Sequence, residues 1–84
     1  MKNKVLIQLI VPNIDEQYDL FIPINIKIGE ALNLIGKSLK ELNDGLYIID
    51  NKKSLYDCTT GTSYHINDLI INTNIRNGSK LMLA

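Results

Sequence analysis

The sequence has one cysteine, Cys58, among its 84 residues, and its formal net charge is zero. A single cysteine cannot form an internal disulfide, so nothing in the sequence indicates an oxidising compartment, and we expect a cytoplasmic protein. A chain without surplus positive charge lacks the electrostatic attraction that drives binding to nucleic acid or to an anionic membrane. We therefore expect no nucleic-acid partner.

Long hydrophobic runs are also missing, because no apolar stretch approaches the roughly 20 residues that a membrane-spanning helix needs. The N-terminal run from Val5 to Val11 superficially resembles a signal peptide. Gln8 interrupts that run, Pro12 ends it, and no small-residue cleavage site follows. The sequence therefore predicts neither membrane insertion nor secretion.

Apolar residues make up 45% of the chain, including fourteen isoleucines and twelve leucines. This content is sufficient for one compact core, so neither a metal nor a disulfide is needed to explain stability. A chain of this length is too short for two domains, and we expect residues 1–84 to form a single domain.

The spacing of apolar residues predicts two strands followed by a helix. Alternation over 4–11 and over 17–24 is typical of strands, and the polar turn between them indicates a hairpin. Pro23 lacks a backbone donor, which places the second strand at an edge of the sheet. The spacing then becomes helical, and the predicted helix ends at Asn43-Asp44-Gly45. Its apolar stripe consists of Ile28, Leu32, Ile35, Leu39 and Leu42.

Shorter elements are predicted after the helix. Leu46–Ile49 and Ser54–Tyr56 have the composition of strands, and Lys80–Ala84 closes the chain as a final strand. We expect a loop or hairpin over 59–63 and a short irregular or helical turn within 67–75. One helix covers one face of such a sheet, so the fold class is α+β.

The order of these elements resembles that of ubiquitin over nearly the whole chain. The C-terminal segment, Asn74-Ile75-Arg76-Asn77-Gly78-Ser79-Lys80-Leu81-Met82-Leu83, is similar to the ubiquitin-like ending, in which alternating leucines follow a polar turn. The resemblance implies the ubiquitin-like β-grasp fold, a mixed sheet of four to five strands with one amphipathic helix packed on one face. In that fold the first and last strands lie side by side and parallel.

Within the β-grasp families, the size and the chain ending resemble the YukD-like group, small bacterial proteins associated with type VII (WXG-type) secretion. The segment 58–68 is longer than this resemblance leads us to expect. Ubiquitin-like modifiers and sulfur carriers act through a flexible tail ending in Gly-Gly, whereas this sequence ends in Leu81-Met82-Leu83-Ala84. The resemblance therefore implies the fold without conjugation chemistry, and a modifier or sulfur carrier is the disfavoured alternative.

Catalytic and metal-binding patterns are not recognisable in the sequence. A nucleophilic Cys58 would need His65 as its base, but a spacing of seven residues matches no known signature, and we expect a small, partly buried cysteine. A metal site would have to combine these two residues with Asp57 or Asp68, which matches no standard spacing. The five glycines are isolated, so no phosphate-binding loop is present. We predict no enzyme activity and no cofactor.

The face of the sheet opposite the helix is the candidate binding site. The residues expected to face the helix are Val5, Ile7, Leu9, Leu20, Ile22, Leu81 and Leu83. Period-two geometry then places Leu6, Ile10, Phe21 and Met82 on the opposite, open face. An exposed apolar patch of this kind marks a protein partner, either a secretion-system component or a second copy of the chain. Two other interpretations stay open, namely scattered exposed apolar residues and capping by the 57–68 segment.

Overall fold

A computed structural model describes residues 3–43 and 53–84, and this part of the chain forms a mixed four-stranded sheet with one α-helix packed against it. The elements are the strands β1 (Lys4–Val11) and β2 (Glu16–Pro23), the helix α1 (Ile28–Leu42), and the strands β3 (Leu55–Asp57) and β4 (Lys80–Leu83). Short 3-10 helices occupy Pro12–Ile14 and Ile70–Asn72.

The strand order across the sheet is β2-β1-β4-β3. β1 is antiparallel to β2 and parallel to β4, and β4 is antiparallel to β3. The first and last strands thus lie parallel and side by side at the centre of the sheet. This arrangement confirms the predicted ubiquitin-like β-grasp fold.

The N-terminal hairpin pairs β1 and β2 in continuous register from Lys4 opposite Pro23 to Val11 opposite Glu16. β2 begins and ends one residue earlier than predicted. Asp15 completes the connecting turn in the left-handed conformation, with φ of 52°, which aspartate tolerates better than most residues. β2 is the outermost strand on its side of the described sheet, as the proline at its end predicts.

Helix α1 packs its apolar stripe against the sheet, where Ile28, Ile35 and Leu39 are at most 1% exposed. Leu42, which was predicted to belong to this stripe, is instead 58% exposed as the last residue of the helix. The first backbone N–H groups of the helix donate to a neighbouring loop. Ile28 bonds to the carbonyl of Asp68 at 2.9 Å, and Gly29 bonds to that of Ile66 at 3.0 Å. Asp44 and Gly45 of the predicted helix end lie outside the described residues.

The inner face of the sheet forms the core with α1, as predicted. All seven residues expected to face the helix contribute to this core, and six of them are buried, while Leu20 is half-buried and packs against the others. Ile70 and Ile75, from the segment before β4, complete the core.

The predictions for the segment after α1 are met in part. The strand expected at Leu46–Ile49 lies outside the described residues. The short strand β3 occupies Leu55–Asp57 rather than Ser54–Tyr56. Ser54 still bonds to Ala84, with N···O distances of 2.8 and 3.1 Å, just outside the bounds of β3 and β4. The expected loop at 59–63 turns the chain back, so that Ser63 pairs with Tyr56 across an isolated bridge. The helical turn expected within 67–75 is the 3-10 helix Ile70–Asn72.

Within residues 3–43 and 53–84, no helix combines the length and the apolar character required to cross a lipid bilayer.

Candidate functional site

The open face of the sheet carries its apolar side chains in two separate groups. Leu6 and Phe21 are directly opposite each other on β1 and β2 and form the first group. Ile10 on β1 and Met82 on β4 are partners in the second group, and Tyr56 on β3 lies opposite Met82. The structure thus brings the four predicted residues together in pairs and adds Tyr56, which was not among the predicted site residues.

A row of polar residues separates the two groups. Gln8 lies on β1 between Leu6 and Ile10, and its partners are Asp19 on β2 and Lys80 on β4. Leu6 and Ile10 are four residues apart, which corresponds to about 13 Å along an extended strand. A partner that contacts both apolar groups must therefore also accommodate a row containing one carboxylate, one amide and one ammonium group.

Exposure differs between the groups. Leu6 is 38% exposed and Phe21 is 55% exposed, while Ile10, Met82 and Tyr56 are half-buried. Capping by the 57–68 segment is therefore wrong for the first group. That segment instead bonds to the edge of β3 through Thr62 and to the start of α1 through Ile66 and Asp68.

The turn before β4 fixes the backbone of Leu6. The N–H of Leu6 donates to Oδ1 of Asn77 at 2.8 Å, and the carbonyl of Leu6 accepts from the N–H of Gly78 at 2.8 Å. Gly78 has φ of 87°, a backbone conformation that residues other than glycine rarely adopt. The Asn77-Gly78-Ser79 segment therefore extends the pairing of β1 beyond the first residue of β4.

Cys58 and His65 do not form a catalytic pair among the described hydrogen bonds. Cys58 is exposed, not partly buried as expected, because it lies in the turn that follows β3. Desolvation and the neighbouring Asp57 carboxylate raise the pKa of its thiol, which is the opposite of what a nucleophilic cysteine requires. Nδ1 of His65 accepts a hydrogen bond from the backbone N–H of Asn67 at 3.2 Å.

A polar network at the end of β3 was not anticipated as a unit. The hydroxyl of Tyr64 donates to Oδ1 of Asn74 at 2.6 Å, and Nδ2 of Asn74 donates to Oδ2 of Asp57 at 2.8 Å. The backbone N–H of Thr59 donates to Oδ1 of Asp57 at 2.9 Å. The only sequence signal was local, since an aspartate at the start of Asp57-Cys58-Thr59-Thr60-Gly61 favours a turn in which its side chain accepts from the backbone two residues on.

This network shifts two pKa values in opposite senses. The hydrogen bonds from Asn74 and Thr59 hold the pKa of Asp57 below its usual value, because they stabilise the ionised carboxylate. Burial raises the pKa of Tyr64 to about 12, and the Asp57 charge adds to this effect. Both groups therefore keep a single ionisation state at neutral pH, which is consistent with a structural role.

The network borders a surface cleft of about 490 Å³. Its lining combines the Asp57 carboxylate with the Lys80 ammonium group and with the hydroxyls of Thr59, Thr60 and Ser79. Charges of both signs face the same small space, so the cleft has no preference for an anion or a cation. No group of three or more His, Cys, Asp or Glu side chains in the described parts of the chain is arranged to hold a metal ion.

Comparison by sequence finds no relatives, since no protein-family model and no curated protein matches this chain. Comparison by structure finds ubiquitin-like folds. A structure from work on molecular mimicry of SUMO in DNA repair has a TM-score of 0.80 at 13% identity, with 98% of this chain and 91% of the other covered.

Two similar structures are ubiquitin-like domains of type VII secretion proteins. The domain of EccD1 from Mycobacterium tuberculosis has a TM-score of 0.71 at 11% identity, covering 95% of this chain and 96% of that domain. The domain of EccD5 from Mycobacterium xenopi has a TM-score of 0.67 at 18% identity, covering 96% of this chain and 92% of that domain. These likenesses establish the ubiquitin-like fold over most of the chain.

Proposed function

We propose that this protein is a non-enzymatic, cytoplasmic, ubiquitin-like protein-binding module that serves as an accessory or regulatory component of a bacterial type VII-like secretion system. The likeness to the EccD ubiquitin-like domains supports the association with secretion. The open sheet face supports the binding function. The exposure of Phe21 beside Leu6 is the single observation that carries the proposal, because 55% of this aromatic residue's surface is accessible to a partner.

The two-group face defines the kind of partner surface. Apolar side chains of the partner would cover Leu6 with Phe21 and, about 13 Å away, Ile10 with Met82. Hydrogen-bonding groups between them would match the polar row of Asp19, Gln8 and Lys80. A partner surface with apolar, polar and apolar regions in this order would therefore be preferred over a purely apolar surface.

A charge-insertion experiment tests the proposal. Leu6→Glu combined with Phe21→Glu places two carboxylates at the centre of the interface, where their desolvation is costly. Leu34→Glu combined with Leu42→Glu is the matched control, since these helix residues are 42% and 58% exposed, close to the 38% and 55% of the test pair. Circular dichroism and thermal unfolding should show both double variants folded.

The binding measurement uses the proteins encoded beside this gene in its native genome, which the proposal expects to include type VII secretion components, purified and titrated against each variant. We expect the face variant to lose at least roughly tenfold in affinity, and the helix variant to bind as the unchanged protein does. Equal affinity of the face variant and the helix variant would mean that the open sheet face is not the binding site. If the neighbouring gene instead encodes an adenylating enzyme, and that enzyme activates this chain with ATP, the modifier or sulfur-carrier alternative replaces the proposed binding function.

A complementation experiment tests the absence of catalysis. Cys58→Ser and His65→Ala should each restore secretion in a deletion strain, because neither residue belongs to a catalytic arrangement. Failure of both variants while they remain folded would reopen the enzyme hypothesis.

A further inference from the structure

The backbone of Leu6 is held by the turn that precedes β4. Its N–H donates to Oδ1 of Asn77 and its carbonyl accepts from the N–H of Gly78, both at 2.8 Å. A strand residue directs its N–H and its carbonyl to the same side, so these groups of Leu6 point away from β2. Leu6 and Phe21 therefore face each other without backbone hydrogen bonds between them. The backbone position of Leu6 thus depends on two adjacent residues of one turn.

The side chain of Asn77 occupies a place beside β1 that a backbone carbonyl would fill in a regular ladder. Gln8 donates its N–H to the carbonyl of Ser79 at 2.9 Å. Continued by two residues along both segments, this parallel pattern would make the backbone carbonyl of residue 77 the acceptor for Leu6. Because Oδ1 accepts instead, the side-chain amide of Asn77 and the N–H of Gly78 lie against the same residue.

Asn77 and Gly78 also form the pair in this sequence that is most susceptible to deamidation. Asn77 is the only one of the ten asparagines that precedes glycine, which has no side chain to obstruct the approach of its nitrogen to the preceding amide. Both residues are exposed, so water reaches them. The turn that holds Leu6 therefore contains a reactive pair.

The reaction needs only water. The Gly78 nitrogen loses its proton and bonds to Cγ of Asn77, while the bond from Cγ to Nδ2 breaks and ammonia leaves with that proton. Water then opens the five-membered imide. Opening at the bond between Cγ and the nitrogen gives aspartate. Opening at the bond between the backbone carbonyl carbon and the nitrogen gives isoaspartate, in which the chain continues through Cγ.

The folded chain restrains this reaction. The nitrogen that must attack donates its N–H to the Leu6 carbonyl, and the side-chain amide that must be attacked accepts from the Leu6 N–H. Deamidation therefore proceeds from an opened state in which the turn has separated from β1, as amide hydrogen exchange does.

The isoaspartyl product cannot restore both bonds to Leu6. In asparagine, Oδ1 belongs to the side chain and the Gly78 N–H to the backbone, so both can point at one residue. In isoaspartate, the Cγ carbonyl and the Gly78 N–H belong to one trans peptide, whose oxygen and hydrogen point in opposite directions. Aspartate, by contrast, keeps a side-chain oxygen in the place of Oδ1 and leaves the backbone unchanged.

We propose that Asn77 is a deamidation site, and that its conversion to isoaspartate releases Leu6 from the β4 side of the sheet and weakens partner binding at the first apolar group. The effect on binding rests on the proposed function, which it extends by a means of regulating the open face. The modification and the release of Leu6 do not depend on that function.

Incubation of the folded chain at neutral pH, and of the chain unfolded in guanidinium chloride, tests the modification. Peptide mass spectrometry and methylation by protein L-isoaspartate methyltransferase identify isoaspartate at residue 77. We expect it in both samples, forming at least roughly tenfold more slowly in the folded protein, because only the opened population reacts. Asn77→Gln is the control that should give none at this position. Absence of isoaspartate at residue 77 from the folded protein, or equal rates in the two samples, would overturn the proposal.

Amide hydrogen exchange measured by NMR tests the release of Leu6. The isoaspartyl form, purified from the aged protein by chromatography, is compared with Asn77→Asp, which has the same composition and charge and differs only in the linkage. We expect the amides of Leu6 and Gly78 to exchange at least roughly tenfold faster in the isoaspartyl form and to stay protected in Asn77→Asp. Similar protection in the two proteins would contradict the release.

A binding measurement separates this inference from the proposed function. A protein encoded beside this gene that binds the unchanged chain is titrated against the same two forms. We expect the isoaspartyl form to bind at least roughly fivefold more weakly than Asn77→Asp, because the freed Leu6 backbone must be ordered again on binding. Equal affinity of the two forms, where Leu6→Glu with Phe21→Glu does lose binding, would rule out this regulation and leave the proposed function intact. If no such protein binds the unchanged chain, the proposed function fails, and the deamidation and exchange measurements still decide whether Asn77 is the modification site.

Discussion

Nδ2 of Asn74 donates a hydrogen bond to Oδ2 of Asp57 across 2.8 Å, although 17 residues separate the two in the sequence. Asp57 ends β3 and Asn74 precedes Ile75, a core residue that is 1% exposed. The contact therefore joins the outer strand to the segment that leads into β4. Tyr64 extends this connection through its 2.6 Å bond to Asn74.

The Asp57 contact predicts a specific pH dependence of stability. Its pKa is lowered in the folded protein, so the carboxylate contributes stability above its unfolded value of 3.8 and loses this contribution as the pH falls through the lower folded value. Urea unfolding between pH 7 and pH 2 should therefore show a loss of stability below about pH 4. Asp57→Asn should show a smaller loss over the same range, and an equal loss in both proteins would assign the acid sensitivity to other carboxyl groups.

The helix stripe predicts a contrast between adjacent residues. Ile35 is 1% exposed and Leu34 is 42% exposed, so truncation at the two positions removes very different contacts. Ile35→Ala should reduce the free energy of unfolding by about 2–5 kcal/mol, since it leaves a cavity in the core. Leu34→Ala should cost less than about 1 kcal/mol. Chemical denaturation measures both, and similar losses at the two positions would contradict the packing of α1.

The environment of Cys58 predicts slow thiol chemistry. Desolvation and the Asp57 charge raise its pKa, which lowers the thiolate fraction at pH 7. Alkylation by iodoacetamide at this pH should therefore be slower in the folded protein than in urea, even though the thiol is exposed. Asp57→Asn removes the neighbouring charge and should accelerate alkylation of the folded protein. Faster reaction of the folded than of the unfolded wild-type chain would indicate an activated cysteine and contradict this interpretation.

Local residue patterns were sufficient to predict the first two strands and the helix, whereas the order of the strands in the sheet was expected only from the resemblance to ubiquitin. Alternation in β1 and β2 determined which residues face the core, since successive side chains of a strand point to opposite faces. Pro23 determined that β2 lies at an edge, because the missing donor is tolerated only there. The change to helical spacing after Ile28 determined α1 to within a residue of its described end.

The tertiary structure decided which distant residues meet. The polar row that separates the apolar groups of the open face forms only because the register places Asp19 and Lys80 beside Gln8, and neither strand alone determines that register. The Asp57–Asn74 contact likewise depends on β3 pairing with β4, and the sequence around each residue contains no signal for the other. Periodicity within a segment therefore determined the elements and their buried faces, whereas pairing between segments determined the candidate surfaces, because those surfaces consist of side chains from several strands.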